Sequence, residues 1–274
     1  MQPQLNPKGI AMRLVSFITR SLPLLRLLLL PLAALAQDPT TEPTLLGAGV
    51  RSRPAYDGSD AQHLEAVPVL RYYGPVLFAR STRGPLEGGA HFEFLPGLNA
   101  GVQLAYEPGR KAGEADLLND HNLPDIDAGV SYGGHLEWNG KLGPSPINLI
   151  LRARKHTKAE RGAQADIRLT AGVFQSGRFS AGIFSQATWA NAKSTGSLYG
   201  ITAQQAGTSG LPAFEAGSGL LAGSLGLIWS FDLASQWLLV GNLEGRRLQG
   251  DAARSPLTER RSNYYATVGV AYRF

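Results

Sequence analysis

The sequence predicts an all-β protein, an antiparallel transmembrane β-barrel of about twelve strands. Three observations carry this reading. The chain ends on a strictly alternating strand. Its start reads as an export signal. Between the two, alternating segments recur, and no apolar run is long enough for a spanning helix.

Counting back from the terminus in twos, Phe274, Tyr272, Val270, Val268, Ala266 and Tyr264 share one face. Arg273, Ala271, Gly269, Thr267, Tyr265 and Asn263 share the other. Period-two alternation means a strand between two different surroundings. A last strand with one apolar face and a terminal Phe suits closure of a barrel against lipid. Tyr264, Val268, Val270, Tyr272 and Phe274 are accordingly expected to serve barrel assembly, with the assembly machinery as a transient partner. On pattern alone, a strand of a soluble sandwich is the alternative.

At the other end, Lys8, Arg13, Arg20 and Arg26 precede Leu27–Ala36, and no acid occurs in these residues. A basic start, a short apolar run and an Ala-Leu-Ala end read as a secretory signal over 1–36, cut before Gln37. Met12 offers a second start with a complete signal after it. Residues 37–43 are then a short periplasmic segment, and 44–274 form the barrel. The chain holds 26 basic and 21 acidic residues. With four of the basic ones in the signal, the remainder is nearly neutral, so charge gives no case for nucleic acid. There is no Cys, which excludes disulfides and thiolate metal sites.

The strands follow in order. Thr44–Arg53 carries Leu46, Ala48 and Val50 on one face, and Pro54 to Asp60 is a turn-rich loop. In His63–Tyr73, Leu64, Ala66, Pro68, Leu70 and Tyr72 alternate with His63, Glu65 and Arg71. Pro68 cannot donate to a ladder, so a bulge is expected there. Val76–Thr82, Leu86–Leu95 and Leu98–Glu107 follow, separated by Pro-Gly turn signals. After a polar loop from Pro108 to Pro124, Asp125–Trp138 sets Ile126, Ala128, Val130, Tyr132, Leu136 and Trp138 against Asp125, Asp127, Ser131, His135 and Glu137. Pro146–Thr157, Ala163–Gln175 and Arg178–Ala190 come next, the last with Phe179 and Trp189 at opposite ends of one face. The longest loop, Asn191–Phe214, leads to Glu215–Phe231, Ser235–Gln249 and the terminal strand.

Alternating sides from a periplasmic start puts turns at Gly74, Pro96, Gly140, Gly177 and Asp232 on the periplasmic face. It puts loops at Gly58, Gly113, Lys158, Gly207 and Ala252 outside. Short inner turns and long outer loops are the barrel rule. Ten strands stay open if two short early ones merge.

Candidate chemistry is sparse. Asp125, Asp127, His135 and Glu137 on one inward face resemble the carboxylate and His set of a barrel-mouth hydrolase. Lumen charges more commonly pair across the barrel, here with Arg152, Arg154 and Arg168. A Ser-His-acid hydrolase lacks a Ser at a telling spacing from His63, His91, His121, His135 or His156. Scattered His argue against a metal, and no phosphate or dinucleotide fingerprint occurs. No catalytic residue, metal or cofactor is expected. Tyr56 and Asp57, with Tyr199 and Phe214, are either ligand contacts or loop packing over the mouth.

The segments Gly47-Ala48-Gly49-Val50 and Pro54-Ala55-Tyr56-Asp57-Gly58-Ser59-Asp60 resemble the opening signature of the MipA/OmpV family of MltA-interacting proteins. Tyr199-Gly200-Ile201-Thr202, Ser209-Gly210-Leu211-Pro212-Ala213-Phe214 and Gly217-Ser218-Gly219-Leu220 are similar to its central motif. Phe214 stands where a Tyr is expected. The motif residues Pro54, Tyr56, Gly58, Ser59, Asp60, Tyr199, Gly200, Ser209 and Gly210 carry no assigned role. The resemblance implies a Gram-negative outer-membrane protein without catalytic residues. It also implies partners, a lytic murein transglycosylase and a murein-synthesising penicillin-binding protein, besides outer-membrane lipid. A small polar channel or a surface-binding barrel is the alternative, and a hydrolase a weaker one. A scaffold would use 37–43 and the Asn139–Ser145 turn.

Overall fold

The computed structural model describes residues 43–81 and 85–274. The export signal, and all of the segment after it except Pro43, lie outside the described residues. Twelve antiparallel strands form a closed barrel in which each pairs with its sequence neighbours and the last pairs with the first. They are β1 (Leu45–Pro54), β2 (Gln62–Tyr73), β3 (Leu77–Arg80), β4 (Glu87–Leu95), β5 (Leu98–Glu107) and β6 (Gly129–Leu142). The second half comprises β7 (Ser145–His156), β8 (Ala163–Ser176), β9 (Phe179–Ala190), β10 (Gly219–Asp232), β11 (Trp237–Leu248) and β12 (Ser262–Arg273). Closure removes the free edges that an open sheet would leave unpaired in lipid. It runs through Leu46↔Tyr272, Ala48↔Val270 and Val50↔Val268, all outward pairs.

The outward rows are apolar and exposed. Leu64 is 76 %, Leu225 69 % and Val102 66 % accessible. Such a surface is unfavourable in water and suited to hydrocarbon. Aromatics gather toward both ends of the belt. Trp237, Tyr272 and Phe274 form a chain of edge contacts at 5.3 and 4.9 Å near the short turns. Tyr106, Tyr132, Trp189 and Tyr264 lie toward the long loops. The rings need room. A Cβ on Gly241 would stand 2.2 Å from the Trp229 ring, so that glycine seats the indole.

At one end lie the short turns and both barrel termini; by the barrel rule this end faces the periplasm. At the other end the long loops carry short helices, α1 (Asp116–Asp120), α2 (Ala192–Tyr199) and α3 (Ala203–Ser209).

Three expectations need correction. The turn after β6 is not at Gly140. The ladder continues through Gly140↔Ile147 and Leu142↔Ser145, leaving only Gly143-Pro144 with Gly143 at φ +59°. The Asn139–Ser145 segment is therefore mostly strand. Pro68 causes no bulge, since β1 and β2 pair without a shift through Ala48↔Pro68. Leu70 donates its N–H to the Ser81 hydroxyl at 3.0 Å, so residue 68, two positions away, also aims toward β3. Among the described residues, β2 pairs with β3 through Arg71, Tyr72 and Tyr73. Finally, Asp125 and Asp127 lie outside β6, which starts at Gly129. Ile126 instead bridges Arg110, so both acids belong to an outer loop.

Candidate functional site in the lumen and the outer cap

Inward positions on β3 to β8 build a buried ion-pair network. Arg80 donates Nε to Glu87 Oε1 at 2.8 Å and Nη1 to Glu137 Oε2 at 2.7 Å. Glu137 also accepts from Asn148 at 2.8 Å and from the Tyr73 hydroxyl at 3.2 Å. Arg152 reaches Glu87 Oε1 at 3.3 Å and donates Nε to Asp166 Oδ2 at 2.9 Å. Arg154 lies 3.5 Å from Asp166 and 4.0 Å from Glu107. The side chains of Arg80, Glu87, Glu137, Arg152 and Asp166 are almost wholly buried. Burying this many charges is tolerable only because each meets an opposite charge in good geometry.

The expected pairing is thus partly redistributed. Glu137 is held by Arg80, which the sequence reading overlooked. Arg168 instead lies 3.6 Å over the Phe184 ring. His135 is buried beside the Phe78 ring at 5.1 Å, far from the loop acids grouped with it. The four-residue hydrolase set is therefore not assembled. Among the described residues, no cluster of three or more His, Asp or Glu is placed to hold a metal ion.

The opposite wall is different in kind. Half-buried Thr170, Ser180, Ser230, Asn242 and Thr267 face inward on β8 to β12. At the periplasmic end Leu45, Val69, Leu238 and Ala271 pack into an apolar floor joined by Val240.

Over the outer mouth, four loops share one apolar core. Ala55 comes from β1–β2, Ala115, Leu118 and Leu123 from β5–β6, Ile201 from β9–β10 and Leu257 from β11–β12. Tyr56, Leu211 and Phe214 pack against it. The motif residues are the cap's fittings. Pro54 is fully buried where β1 ends. The Tyr56 hydroxyl donates to the Leu257 carbonyl at 2.8 Å. Burial first, then nearby Glu259, raises the Tyr56 pKa above its ordinary value, so it stays a neutral donor. Gly58 takes φ +109°, a conformation that strains any other residue. The Ser59 hydroxyl accepts from Ala61 N–H at 3.1 Å, and Asp60 N–H donates to Glu259 at 3.3 Å.

Tyr199, buried at the end of α2, offers its carbonyl to the Ser255 hydroxyl at 2.6 Å. Its own phenol is pushed well up by burial. Gly200 closes α2 by donating to Gly196 at 2.9 Å. The Ser209 carbonyl meets His121 Nδ1 at 2.5 Å, and Gly210, at φ +72°, caps α3. Thr202 and Gln205 form a capping box at the start of α3.

Asp57 turns down into the barrel. Arg246 Nη1 donates to it at 2.8 Å, and the Tyr265 hydroxyl donates to its other oxygen. Arg246 also lies 4.7 Å over the Tyr265 ring and donates Nη2 to Glu244 at 2.9 Å. This group ties the cap to β11 and β12. Arg110, from the β5–β6 loop, is buried under the cap and donates Nη1 to the Leu198 carbonyl at 2.8 Å. Burial pulls its pKa below the usual guanidinium value. Of the candidate contacts, Tyr56, Tyr199 and Phe214 are packing residues and Asp57 is a tether. The terminal residues Tyr264, Val268, Val270 and Phe274 stand exposed on the outward face, as the alternation requires.

Solved structures similar to the chain are outer-membrane barrels. An outer-membrane channel from Pseudomonas putida F1 is 8 % identical, with 90 % of this chain and 100 % of that one covered and a TM-score of 0.44. Outer-membrane expressed OmpT of Vibrio cholerae is 6 % identical, with 84 % and 96 % covered and a TM-score of 0.41. An anion-selective porin from Comamonas acidovorans is 10 % identical, with 84 % and 98 % covered and a TM-score of 0.36. Curated proteins return no match. The family model of MltA-interacting protein MipA matches residues 46–274, from the first barrel strand to the terminal Phe, and the chain belongs to that family.

Proposed function

We propose that the protein is a non-enzymatic, closed outer-membrane barrel that anchors murein enzymes at its periplasmic rim. The partners would be a lytic murein transglycosylase of the MltA kind, the interaction for which the family is described, and a murein-synthesising penicillin-binding protein. The observation that carries the closed-barrel reading is the four-loop cap with its own apolar core over the outer mouth. Beneath it Arg80, Glu87, Glu137, Arg152 and Asp166 pair with one another, which leaves a barrel suited to holding position. Export by the 1–36 signal and insertion by the assembly machinery through β12 belong to the same reading.

The rim available to a periplasmic partner is narrow. It consists of two- to four-residue turns with exposed Leu95, Leu142, Leu233 and Phe274 at or beside them. Lys141 and Leu142 lie exposed at the β6–β7 turn, where a docking contact can reach them. Refolded mature protein, immobilised in detergent, should retain a purified lytic transglycosylase more than an unrelated barrel does. Lys141→Glu with Leu142→Asp should weaken retention by about tenfold, the effect of losing one central contact. Equal retention on the control barrel would sink the scaffold.

A second reading, a narrow polar channel, is favoured by the half-buried hydroxyl and amide wall of Thr170, Ser230, Asn242 and Thr267. Conductance separates it from the first.

A further inference from the structure

Charge is distributed unevenly over the barrel wall. In the twelve strands the charged residues occupy inward positions, with two exceptions, Lys155 on β7 and Arg247 on β11. Ladder parity fixes both outward. Lys155 pairs with Tyr132 and Ala163, and Arg247 pairs with Gly223 and Ser262, all on the lipid-facing rows. Each is exposed and stands next to last in its strand, at the long-loop end. Both exceptions are cations, and no outward acid accompanies them. Among the described residues, neither side chain forms an ion pair or a hydrogen bond. The periplasmic ends of the outward rows carry no charge.

A cation facing hydrocarbon is costly at mid-depth and tolerated near the interface. Both cations lie at that level, beside the outer aromatics. Tyr132, 47 % exposed, stands directly opposite Lys155. Tyr264, 71 % exposed, is two residues from Ser262, the partner of Arg247. Interfacial tyrosines mark the depth of the lipid headgroups. The ground beside Arg247 is open, since a Cβ on Gly223 would meet nothing within 4 Å. Ser262 on its other side is exposed and adds a hydroxyl donor. A guanidinium with a hydroxyl beside it suits a phosphate, whose oxygens accept from both. Lys155 offers one ammonium to the same kind of group.

We propose that Arg247 and Lys155 each hold a phosphate on the headgroup of an outer-leaflet lipid, with Ser262 as the second donor beside Arg247. The headgroup supplies the counter-charge that the protein withholds at these two positions. Both side chains rise from lipid-facing rows and not from the cap. A phosphate tethered to an acyl anchor is therefore kept at their depth, whereas free phosphate has no such tether. The barrel grips the outer leaflet at two separate strands, β7 and β11, and makes no matching contact with the inner one. This role does not depend on a murein partner.

The test uses the folded mature protein in detergent. Its ligands are diphosphorylated lipid A and the same glycolipid after phosphatase treatment, and native mass spectrometry counts the molecules retained. The phosphorylated form should be retained about tenfold more tightly than the dephosphorylated one. Arg247→Gln should weaken the binding of one molecule about fivefold, the worth of one cation near a headgroup surface, and Lys155→Gln that of the other. The double variant should lose the preference. Arg178→Gln removes an exposed cation from the β8–β9 turn at the opposite end and should change nothing. Inorganic phosphate at the same concentration should not displace the lipid. Heat-modifiable gel mobility reports folding, and the wild-type comparison stands without any variant. Equal retention of the two glycolipids, a preference surviving in the folded double variant, an equal loss in Arg178→Gln, or displacement by inorganic phosphate overturns the proposal.

Discussion

Asn263 on β12 clasps Gly58 in the first outer loop: its Oδ1 accepts the Gly58 N–H at 2.8 Å, while its Nδ2 donates to the adjacent Ser59 carbonyl at 2.8 Å. The Gly58 carbonyl in turn accepts from Glu259 and Arg260 N–H, both at 2.9 Å. One barrel side chain thus fixes a loop whose backbone fixes another. Asn263→Ala should leave buried backbone groups unsatisfied, at a cost of about 1–3 kcal/mol each. Limited proteolysis of the folded barrel should then cut between Ala55 and Ala61, while the strands stay protected.

Arg80 joins two buried carboxylates from different strands, Glu87 and Glu137. Arg80→Met should lower the unfolding free energy by about 3–5 kcal/mol, since it removes the shared partner of two buried ion pairs. Arg80→Lys should recover only part of this, because an ammonium lacks the planar fork that serves both partners at once. Urea titration of unfolding in lipid vesicles measures both.

Pro68 and Val69 should respond oppositely to exchange. Pro68→Ala should change stability by less than about 0.5 kcal/mol, because β1 and β2 already pair in unbroken register with the proline in place. Val69→Pro should cost about 3 kcal/mol or more, because it removes a donor aimed at β1 and disturbs the apolar floor. The same titration compares them.

The cap should loosen in acid. Asp251 accepts the Gly217 N–H at 2.7 Å and pairs with Arg254, and these contacts hold its carboxyl below the ordinary 3.8. Asp125 is depressed likewise, by the Ala112 N–H first and then Lys111. A depressed folded value gives stability that is present above the unfolded value and lost as pH falls through the folded one. The clamps should therefore be intact from neutral pH down to about 4 and fail below it. Amide exchange at Gly217 should accelerate over that acid range in the wild type, and Asp251→Asn should flatten the dependence.

The barrel was legible because lipid enforces alternation on each strand, and the terminal strand from Tyr264 to Phe274 displays it without interruption. The strand count and the sides of the loops followed from the same parity. Where the physics was not local, the reading slipped. Asp125 and Asp127 continue the alternation of β6 by coincidence, and only the Arg110–Ile126 bridge shows that the chain has left the wall. Pro68 looked like a bulge because proline removes a ladder donor, yet β1 and β2 keep one register through Ala48↔Pro68. Arg80 sits on a strand too brief to advertise a face, so its link to Glu137 was hidden. The cap core escaped because Ala55, Leu118, Ile201 and Leu257 come from four loops, each unremarkable alone. The motif segments were found as sequence, but their work as clasps and caps needed Asn263, Ser255 and Arg246 in place.

Single-channel recording in planar bilayers tests most directly whether the barrel is closed. Folded mature protein should insert and give no unitary current steps above those of protein-free bilayers, because the cap and the Arg80–Glu87–Arg152 network fill the path. Stable, uniform steps from the wild-type protein would contradict the closed barrel and favour a channel running along the wall of Thr170, Ser230 and Thr267.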